Sequence, residues 1–393
     1  MQTGSTDGVN LSSQGVTNAD GSQSVAVAIP VVSSSRTETV GGNSVADLNL
    51  VQDADGEPAV LLQLPTGLGG DAIVENNRQS PTESLDSLVR AIQRVTRDAP
   101  GDQSAMTTAG SGFLTDIPAT GQVVVTTFTP TVSTGVGQAV VLNVIGRSDP
   151  SSAYYEAFVI DARNLPTGST LQMENVEFAS IRGSVTVTGG TGSQSVVGDS
   201  DNQYFFLGED DDTLRGGAGD DTLQSAGGND RLYGETGNDT VIGGDDNDFV
   251  YGNQSDDVVY GNRGNDLAYG GQGADTLYGG QGEDRLYGGQ GDDTLHGGLG
   301  SDTLEGGDGD DVLSGGEGGD LFLFLGGSGH DSILGFEDGS DRISIAGAQF
   351  ADLAISASAS GNAVITTSSG QTITLVGIRT DQVTADDFLA GDD

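Results

Sequence analysis

One residue at one spacing constrains this chain more than any other feature. Aspartate returns every nine residues, without a gap, at Asp212, Asp221, Asp230, Asp239, Asp248, Asp257, Asp266, Asp275, Asp284, Asp293, Asp302, Asp311 and Asp320. With this Asp numbered sixth in each nonapeptide, glycine fills most of positions one, two and four. Position eight is apolar throughout: Leu214, Leu223, Leu232, Val241, Val250, Val259, Ala268, Leu277, Leu286, Leu295, Leu304, Leu313 and Phe322. The cleanest copies are GGQGADTLY (270–278), GGQGEDRLY (279–287) and GGQGDDTLH (288–296). A nonapeptide with one apolar side chain buries nothing alone. Stacked copies build a continuous apolar seam held by neighbour contacts. Glycine supplies the positive φ and close approach that tight turns need. The three residues after each Asp read as a short strand whose middle side chain points inward.

The same stacking sets carboxylates and backbone carbonyls in rows along the turns. Ligation by six to eight oxygens suits a hard cation such as Ca²⁺, and the lack of nitrogen or sulfur ligands argues against zinc or copper. Composition agrees: 58 acidic residues stand against 14 basic ones, every one of them Arg, for a formal charge of −44. Nucleic acid and anionic membrane surfaces, which need basic patches, are excluded as partners. So large a charge also opposes compaction unless cations bind. There is no Cys, hence no disulfide or thiol chemistry. No run approaches 18 apolar residues, so no helical membrane insertion is expected.

The repeat resembles the G-G-x-G-x-D-x-U-x signature of the RTX (repeats-in-toxin) family. The resemblance implies an all-β fold containing a right-handed parallel β-roll, with two nonapeptides per turn and several Ca²⁺ ions between turns. Asp side chains and loop carbonyls would hold those ions, which makes the thirteen Asp the expected metal ligands. Residues 18 apart, Asp212 with Asp230 and Asp221 with Asp239, should face each other. Frames 189–197 (GGTGSQSVV) and 198–206 (GDSDNQYFF) carry Gln194 and Gln203 at position six, and read as an opening cap without strong metal sites. Asp246 and Ser255 replace the glycine of position four; Ala226, Glu235, Asn253 and Asn262 replace that of position two. Those residues must tolerate a strained backbone, so sites near 226–262 should be weaker.

From Leu321 the segment LFLFLGGSGHDSILGFEDGSDRISIAG is similar to the cap that closes RTX rolls in type I-secreted proteins, through Asp331, Ile333, Phe336, Gly339, Asp341 and Ile343. It implies that 324–393 form a C-terminal cap and an uncleaved signal for a type I exporter. The opening MQTGSTDGVN lacks the basic and apolar regions of a secretory signal. In low cytosolic Ca²⁺, the 39 acidic residues of 181–393, against 7 Arg, would hold the roll open. Outside the cell, metal binding would supply the folding free energy.

The roll is expected over 189–323. Residues 1–24 are almost wholly polar and read as a disordered arm. Residues 25–188 alternate short β-prone runs with polar turns: 25–32, 59–64, 123–128, 139–145, 154–160, 171–178 and 184–188. They predict a mainly antiparallel, β-sandwich-like domain. One helix, about 81–98, opens on the capping box Ser80-Pro81-Thr82-Glu83. It presents Leu85, Leu88, Val89, Ile92 and Val95 on one face and stops at Asp98-Ala99-Pro100-Gly101. Residues 363–378 read as a hairpin.

RTX rolls are joined to many activities, so the N-terminal half must decide function. Both histidines, His296 and His330, lie at or beyond the roll. That excludes an H-E-x-x-H protease and a Ser-His-Asp triad in the N-terminal domain. No G-x-S-x-G elbow occurs, nor any Lys that could be acylated as in pore-forming relatives. A carboxylate-dependent, polysaccharide-acting enzyme using Asp149, Glu156, Asp161, Glu174 or Glu177 is the less favoured reading. The favoured one is a secreted, non-enzymatic Ca²⁺-binding protein, extracellular or at the cell surface. Its roll would serve export, folding and a structural role as a self-assembling surface-layer, fibre or matrix subunit. The alternative is a glycan- or cell-binding adhesin. Position nine carries Tyr233, Tyr251, Tyr260, Tyr269, Tyr278 and Tyr287. An 18-residue turn stacks 233, 251, 269 and 287 on one outer face, where they stabilise each other across strands or bind glycan.

Overall fold

The computed structural model describes residues 11–18, 23–30, 32, 39–40, 43–52, 58–66, 68–75, 80–133, 137–146, 154–326, 328–368 and 370–389. They form two compact units, Met1–Gly219 and Asp220–Asp393.

In the first unit, strands Ser12–Thr17, Gln23–Ile29, Leu68–Glu75 and Gln122–Val132 pair antiparallel in that order. Asn43–Gln52, Pro58–Pro65 and Val141–Ile145 make a second antiparallel set. The pairing then turns parallel. Gln122–Val132 is followed by Tyr154–Asp161, Phe178–Arg182, Ser195–Val197 and Thr213–Ala218. Val141–Ile145 is followed by Thr170–Glu174, Thr186–Thr188 and Tyr204–Phe206. The coil therefore starts well before the first Asp copy. Composition places a domain boundary at 188/189, but both ladders run through it, because backbone pairing needs no Asp at position six. Part of the predicted disordered arm is also a strand: Ser12–Thr17 takes its register from Gln23–Ile29. Residues 1–10 and 19–22 lie outside the described residues.

Two helices cover one face of the first sheet, where the sequence predicts one. Helix α1, Pro81–Val95, buries Leu88, Ala91, Ile92 and Val95 and leaves Leu85 exposed. Helix α2, Pro100–Asp116, starts on the Pro-Gly pair read as a stop signal, with Pro at the first turn where no N–H is needed. Its buried stripe is Asp102, Met106, Gly110 and Leu114. A Cβ at Gly110 would lie 2.6 Å from Leu88 Cδ2, so glycine sets the distance between the helices. The pair packs on Val123, Val125, Ala157, Val159, Phe178 and Val197, and the Phe113 and Phe178 rings stack at 5.0 Å.

Two buried ion clusters fix these helices. Glu75, 3% exposed, accepts from Ser24 Oγ at 2.8 Å and pairs with Arg94 and Arg90 of α1. Arg182, on the coil strand Phe178–Arg182, donates to the Val95 carbonyl at the end of α1 and to Asp98 Oδ1 at 2.6 Å. It also lies 3.7 Å from Asp102 Oδ2 and 3.6 Å from Asp199 Oδ2. The Arg182 hydrogen bond holds the Asp98 carboxyl down at about 2.

In the second unit, strands alternate between two parallel sheets. One contains Arg231–Thr236, Phe249–Gln254, Leu267–Gln272, Arg285–Gln290, Thr303–Asp308, Leu321–Phe324 and Arg342–Ile345. The other contains Thr222–Gln224, Thr240–Asp245, Val258–Arg263, Thr276–Gln281, Thr294–Leu299, Val312–Glu317 and His330–Leu334. Through the repeats partners differ by 18 residues, as in Leu232 with Val250 and Leu277 with Leu295. This is the parallel β-solenoid that the nonapeptide period predicts. Most strands run six residues rather than the expected three, because pairing continues through positions one to three of the next copy: Glu235 meets Asn253 and Gly271 meets Gly289. Inward alternation then buries both the position-eight side chain and the position-one glycine. At the C-terminal end Ala363–Thr366 and Thr372–Val376 pair antiparallel, as their alternation predicts, and Thr372–Val376 also runs parallel beside His330–Leu334.

Candidate metal centre

Each turn places its Asp where the strand begins and aims the side chain into the coil. The thirteen repeat Asp are at most 3% exposed. Within the second unit, the backbone N–H of one Asp donates to Oδ1 of the Asp 18 residues on. The bonds measure 2.7–2.9 Å from Asp221→Asp239 and Asp230→Asp248 through Asp302→Asp320. Two columns of stacked carboxylates result, with the 18-residue facing that the resemblance implies. In the first unit Asp212 Oδ1 accepts from the Gln194 N–H at 2.7 Å.

The second oxygen is the informative one. Oδ2 of Asp239, Asp248, Asp257, Asp266, Asp275, Asp284, Asp293, Asp302 and Asp320 is buried and has no hydrogen-bond partner among the described residues. The position-one glycine shows what lies beside it. A Cβ at Gly261 would fall against Asp266 Oδ2 and 2.7 Å from the Gly279 carbonyl oxygen; one at Gly288 would fall against Asp293 Oδ2 and 2.5 Å from the Gly306 carbonyl. Repeatedly, then, a side-chain-free space is bordered by an orphaned carboxylate oxygen and a main-chain carbonyl, both acceptors only.

Two negative poles with no donor between them are costly unless a proton or cation intervenes. Burial accordingly pushes Asp248, Asp257 and Asp293 up to about 8 and Asp239 and Asp302 to about 7. Asp266, Asp275, Asp284 and Asp311 rise to about 6. No group of three acidic or imidazole side chains gathers as a metal cage among the described residues. A cation here would draw on one or two carboxylates and on carbonyls. That donor set is hard and all-oxygen, so it fits Ca²⁺.

The turns that depart from the glycine pattern keep its geometry. Glu235, Asn253 and Asn262 at position two have φ of 81°, 86° and 81°; Asp246 and Ser255 at position four have 76° and 81°. Ala226 does not take this conformation, and its strand, Thr222–Gln224, stops at three residues.

Both ends of the array close with amides. Gln203 accepts from Asp199 N–H and donates to the Gly183 carbonyl and to Asp199 Oδ1. At the other end the columns pass beyond the repeats to two residues outside the predicted ligand set. Asp311 N–H donates to Asp331 Oδ1 at 3.2 Å and Asp320 N–H to Asp341 Oδ1 at 3.0 Å. Here the second oxygens have protein donors: Gln371 Nε2 bonds Asp331 Oδ2 at 3.0 Å, and Glu337 N–H bonds Asp341 Oδ2 at 2.8 Å. The D-x-I spacing carried this signal; the break in the nine-residue period hid it.

Of the carboxylates considered for catalysis, Glu156 and Glu177 meet through a side-chain hydrogen bond, and the others do not join them. Glu156 is buried, its N–H donating to Glu177 Oε2 at 2.9 Å, and burial raises Glu177. Asp161 pairs with Arg163 at 2.7 Å, Glu174 is exposed, and Asp149 lies outside the described residues. Two pairs of tyrosines stack face to face, Tyr269 on Tyr287 at 4.8 Å and 13° and Tyr260 on Tyr278 at 4.9 Å and 7°, while Tyr251 meets Tyr269 edge-on at 63°.

No described helix is long and apolar enough to cross a membrane. No curated protein matches the chain. Among solved structures it is similar to the AlgE6R3 subunit of the Azotobacter vinelandii mannuronan C5-epimerase, at 29% identity, 35% of this chain, 78% of that one and a TM-score of 0.20. The extracellular lipase LipA of Serratia marcescens is 13% identical over 92% of this chain and 85% of its own, with a TM-score of 0.24. The family model for the RTX calcium-binding nonapeptide repeat matches in overlapping blocks from 188–223 to 287–322, and no family is matched before them. Residues 188–322, whose turns carry the buried carboxylate columns, are thus the part of the chain that matches the RTX calcium-binding nonapeptide repeat.

Proposed function

We propose that this is a secreted, non-enzymatic protein in which Ca²⁺ completes the roll, and that the completed roll is the working structure. The observation that carries this reading is the set of buried Oδ2 atoms, each against a position-one glycine with no room for a Cβ and, at Asp239, Asp266, Asp275, Asp284, Asp293 and Asp302, with a main-chain carbonyl beside that glycine. Asp212 through Asp320 of the nine-residue series, with the glycine carbonyls of neighbouring turns, would hold the ions. Bound Ca²⁺ supplies the positive charge these oxygens lack, and so couples metal binding to folding.

Export through a type I exporter, addressed by residues 324–393, is the route the RTX repeats favour. A structural subunit is preferred over an enzyme because the one pair of candidate acids that meets, Glu156 with Glu177, has Glu156 buried in the coil at 1% exposure, while Asp161 is neutralised by Arg163 and Glu174 stands apart. The stacked pairs Tyr260–Tyr278 and Tyr269–Tyr287 brace successive turns of the coil, which supports a structural role. Calorimetric titration with Ca²⁺, paired with circular dichroism in chelator, tests the metal reading; β content indifferent to chelation would end it. Electron microscopy in millimolar Ca²⁺ tests the role: sheets or filaments support a structural subunit, and dispersed particles favour an adhesin.

A further inference from the structure

On one outer face of the second unit, two rows of side chains run at right angles to the strands. Tyr251, Tyr269 and Tyr287 form one row, and Gln254, Gln272 and Gln290 the other; the register Tyr251–Tyr269–Tyr287 and Gln254–Gln272–Gln290 holds them in line. Between the rows the floor is Asn253 on the first rung and glycine on the next two, Gly271 and Gly289, at φ of 86°, 121° and 117°. The result is an open groove of about 610 Å³. Its lining is mixed: the tyrosines, the glutamines, Glu305 and Asp308 are joined by the exposed Leu325. No side-chain hydrogen bond engages these glutamines or tyrosine hydroxyls among the described residues, and the glutamines are exposed.

We infer that this groove binds an extended polysaccharide of neutral hexoses, lying along the stacking direction of the coil. Three features of the groove specify such an occupant. The rows repeat at the interstrand step of about 4.8 Å, close to the length of one sugar ring, so successive residues of a linear chain meet equivalent groups. Each rung offers a phenol hydroxyl and a carboxamide, which together donate to and accept from sugar hydroxyls. Tyr269 and Tyr287 stack on each other and Tyr251 meets Tyr269 edge-on, so the rings are packed within the row and recognition rests on these hydroxyls and amides at the groove's edge. Polyanions are disfavoured: Glu305 and Asp308 are the next members of the two rows and line the same groove. A peptide strand is disfavoured as well, since the groove offers no free backbone edge.

The inference rests on the roll being folded, so the test is run on the full chain at saturating Ca²⁺, with circular dichroism confirming the fold. Migration is followed in native gels cast with a soluble neutral β-glucan, a neutral mannan, or a polyuronate. The chain should be retarded by at least one neutral polymer. The variant Q254A/Q272A/Q290A should bind it at least about tenfold more weakly, the cost of losing several neutral hydrogen bonds, with its Ca²⁺ midpoint unchanged. Tyr269→Phe, which keeps the ring stack, should weaken retardation in part, and Gln281→Ala, on the opposite sheet, should leave it unchanged. A folded chain that no neutral polymer retards, a triple variant retarded like the parent, or retardation by the polyuronate alone would overturn the assignment.

Discussion

Metal-free protein should lose its β-roll as the pH rises through a window where ordinary carboxylates no longer titrate. Nine repeat Asp have pKa values pushed by burial to between about 6 and about 8, from an ordinary 3.8. A folded-state pKa raised above the unfolded one adds stability only while the group is protonated. That stability is complete below about 4 and disappears as the pH climbs through 6 to 8. At about 1.4 kcal/mol per unit, a rise of three units is worth about 4 kcal/mol. Allowance for solvent screening near the turns reduces it to about 2 kcal/mol per carboxyl. Four of the nine, Asp266, Asp275, Asp284 and Asp311, rise only to about 6, and neighbouring carboxyls share part of the shift, so the combined loss is on the order of 10 kcal/mol, comparable with the ~5–15 kcal/mol that usually stabilises a domain. In chelator, then, the β signal in circular dichroism should be largely present near pH 5, fall with a midpoint between about 6 and 8, and be lost above that. With saturating Ca²⁺ it should stay constant across the same range. Titration at about pH 7 in buffers of different ionisation enthalpy should show protons released as Ca²⁺ binds. A metal-free roll that keeps its β signal at pH 8.5, or melts only near pH 4 with the surface carboxylates, would refute the reasoning.

Other perturbations have separate expected outcomes. Gly270→Ala puts a Cβ against Asp275 Oδ2 and 2.7 Å from the Gly288 carbonyl; it should raise the Ca²⁺ midpoint severalfold in a fluorescence-monitored titration. Leu277→Ala, at a fully buried position, should cost about 2–5 kcal/mol in urea unfolding of the Ca²⁺-loaded chain. Arg182→Met strands Asp199 and Asp102 in a buried site. It should destabilise the first unit by about 3–5 kcal/mol in calorimetry and leave Ca²⁺ binding by the second intact. Hydrogen exchange in chelator should find Ser195–Val197 more protected than Thr276–Gln281, since the frames with Gln194 and Gln203 need no ion.

The roll was legible because its rules are periodic: thirteen Asp and thirteen apolar residues in step fix the 18-residue register before any contact is known. Its limits were less legible. Asp331 and Asp341 extend the columns, yet they stand 11 and 21 residues past Asp320, outside the period. The coil also reaches back through Phe178–Arg182 and Tyr154–Asp161, where Val, Ile and Phe give the same alternation as an antiparallel strand. Direction of pairing leaves no trace in a two-residue period. Helix α2 was hidden because PGDQSAMTTAGSGFLTD is rich in residues with weak helical preference. Tertiary burial of Met106, Gly110 and Leu114 against α1 and Phe178 decides its structure. The orphaned Oδ2 atoms lay beyond sequence reasoning altogether, since spacing says which residues align but not which oxygen lacks a donor.

The 18-residue register also quantises the length of this protein. Removing two adjacent nonapeptides, for instance 270–287, takes out one full turn and lets every strand that follows keep its sheet, its carboxylate column and its outer row. Removing one nonapeptide transposes everything downstream: Tyr287 moves to the sheet of Tyr278, and the Asp221 and Asp230 columns exchange successors. Length variants should therefore survive in whole turns, and a lone nine-residue deletion should act as a frame error written in space rather than in codons.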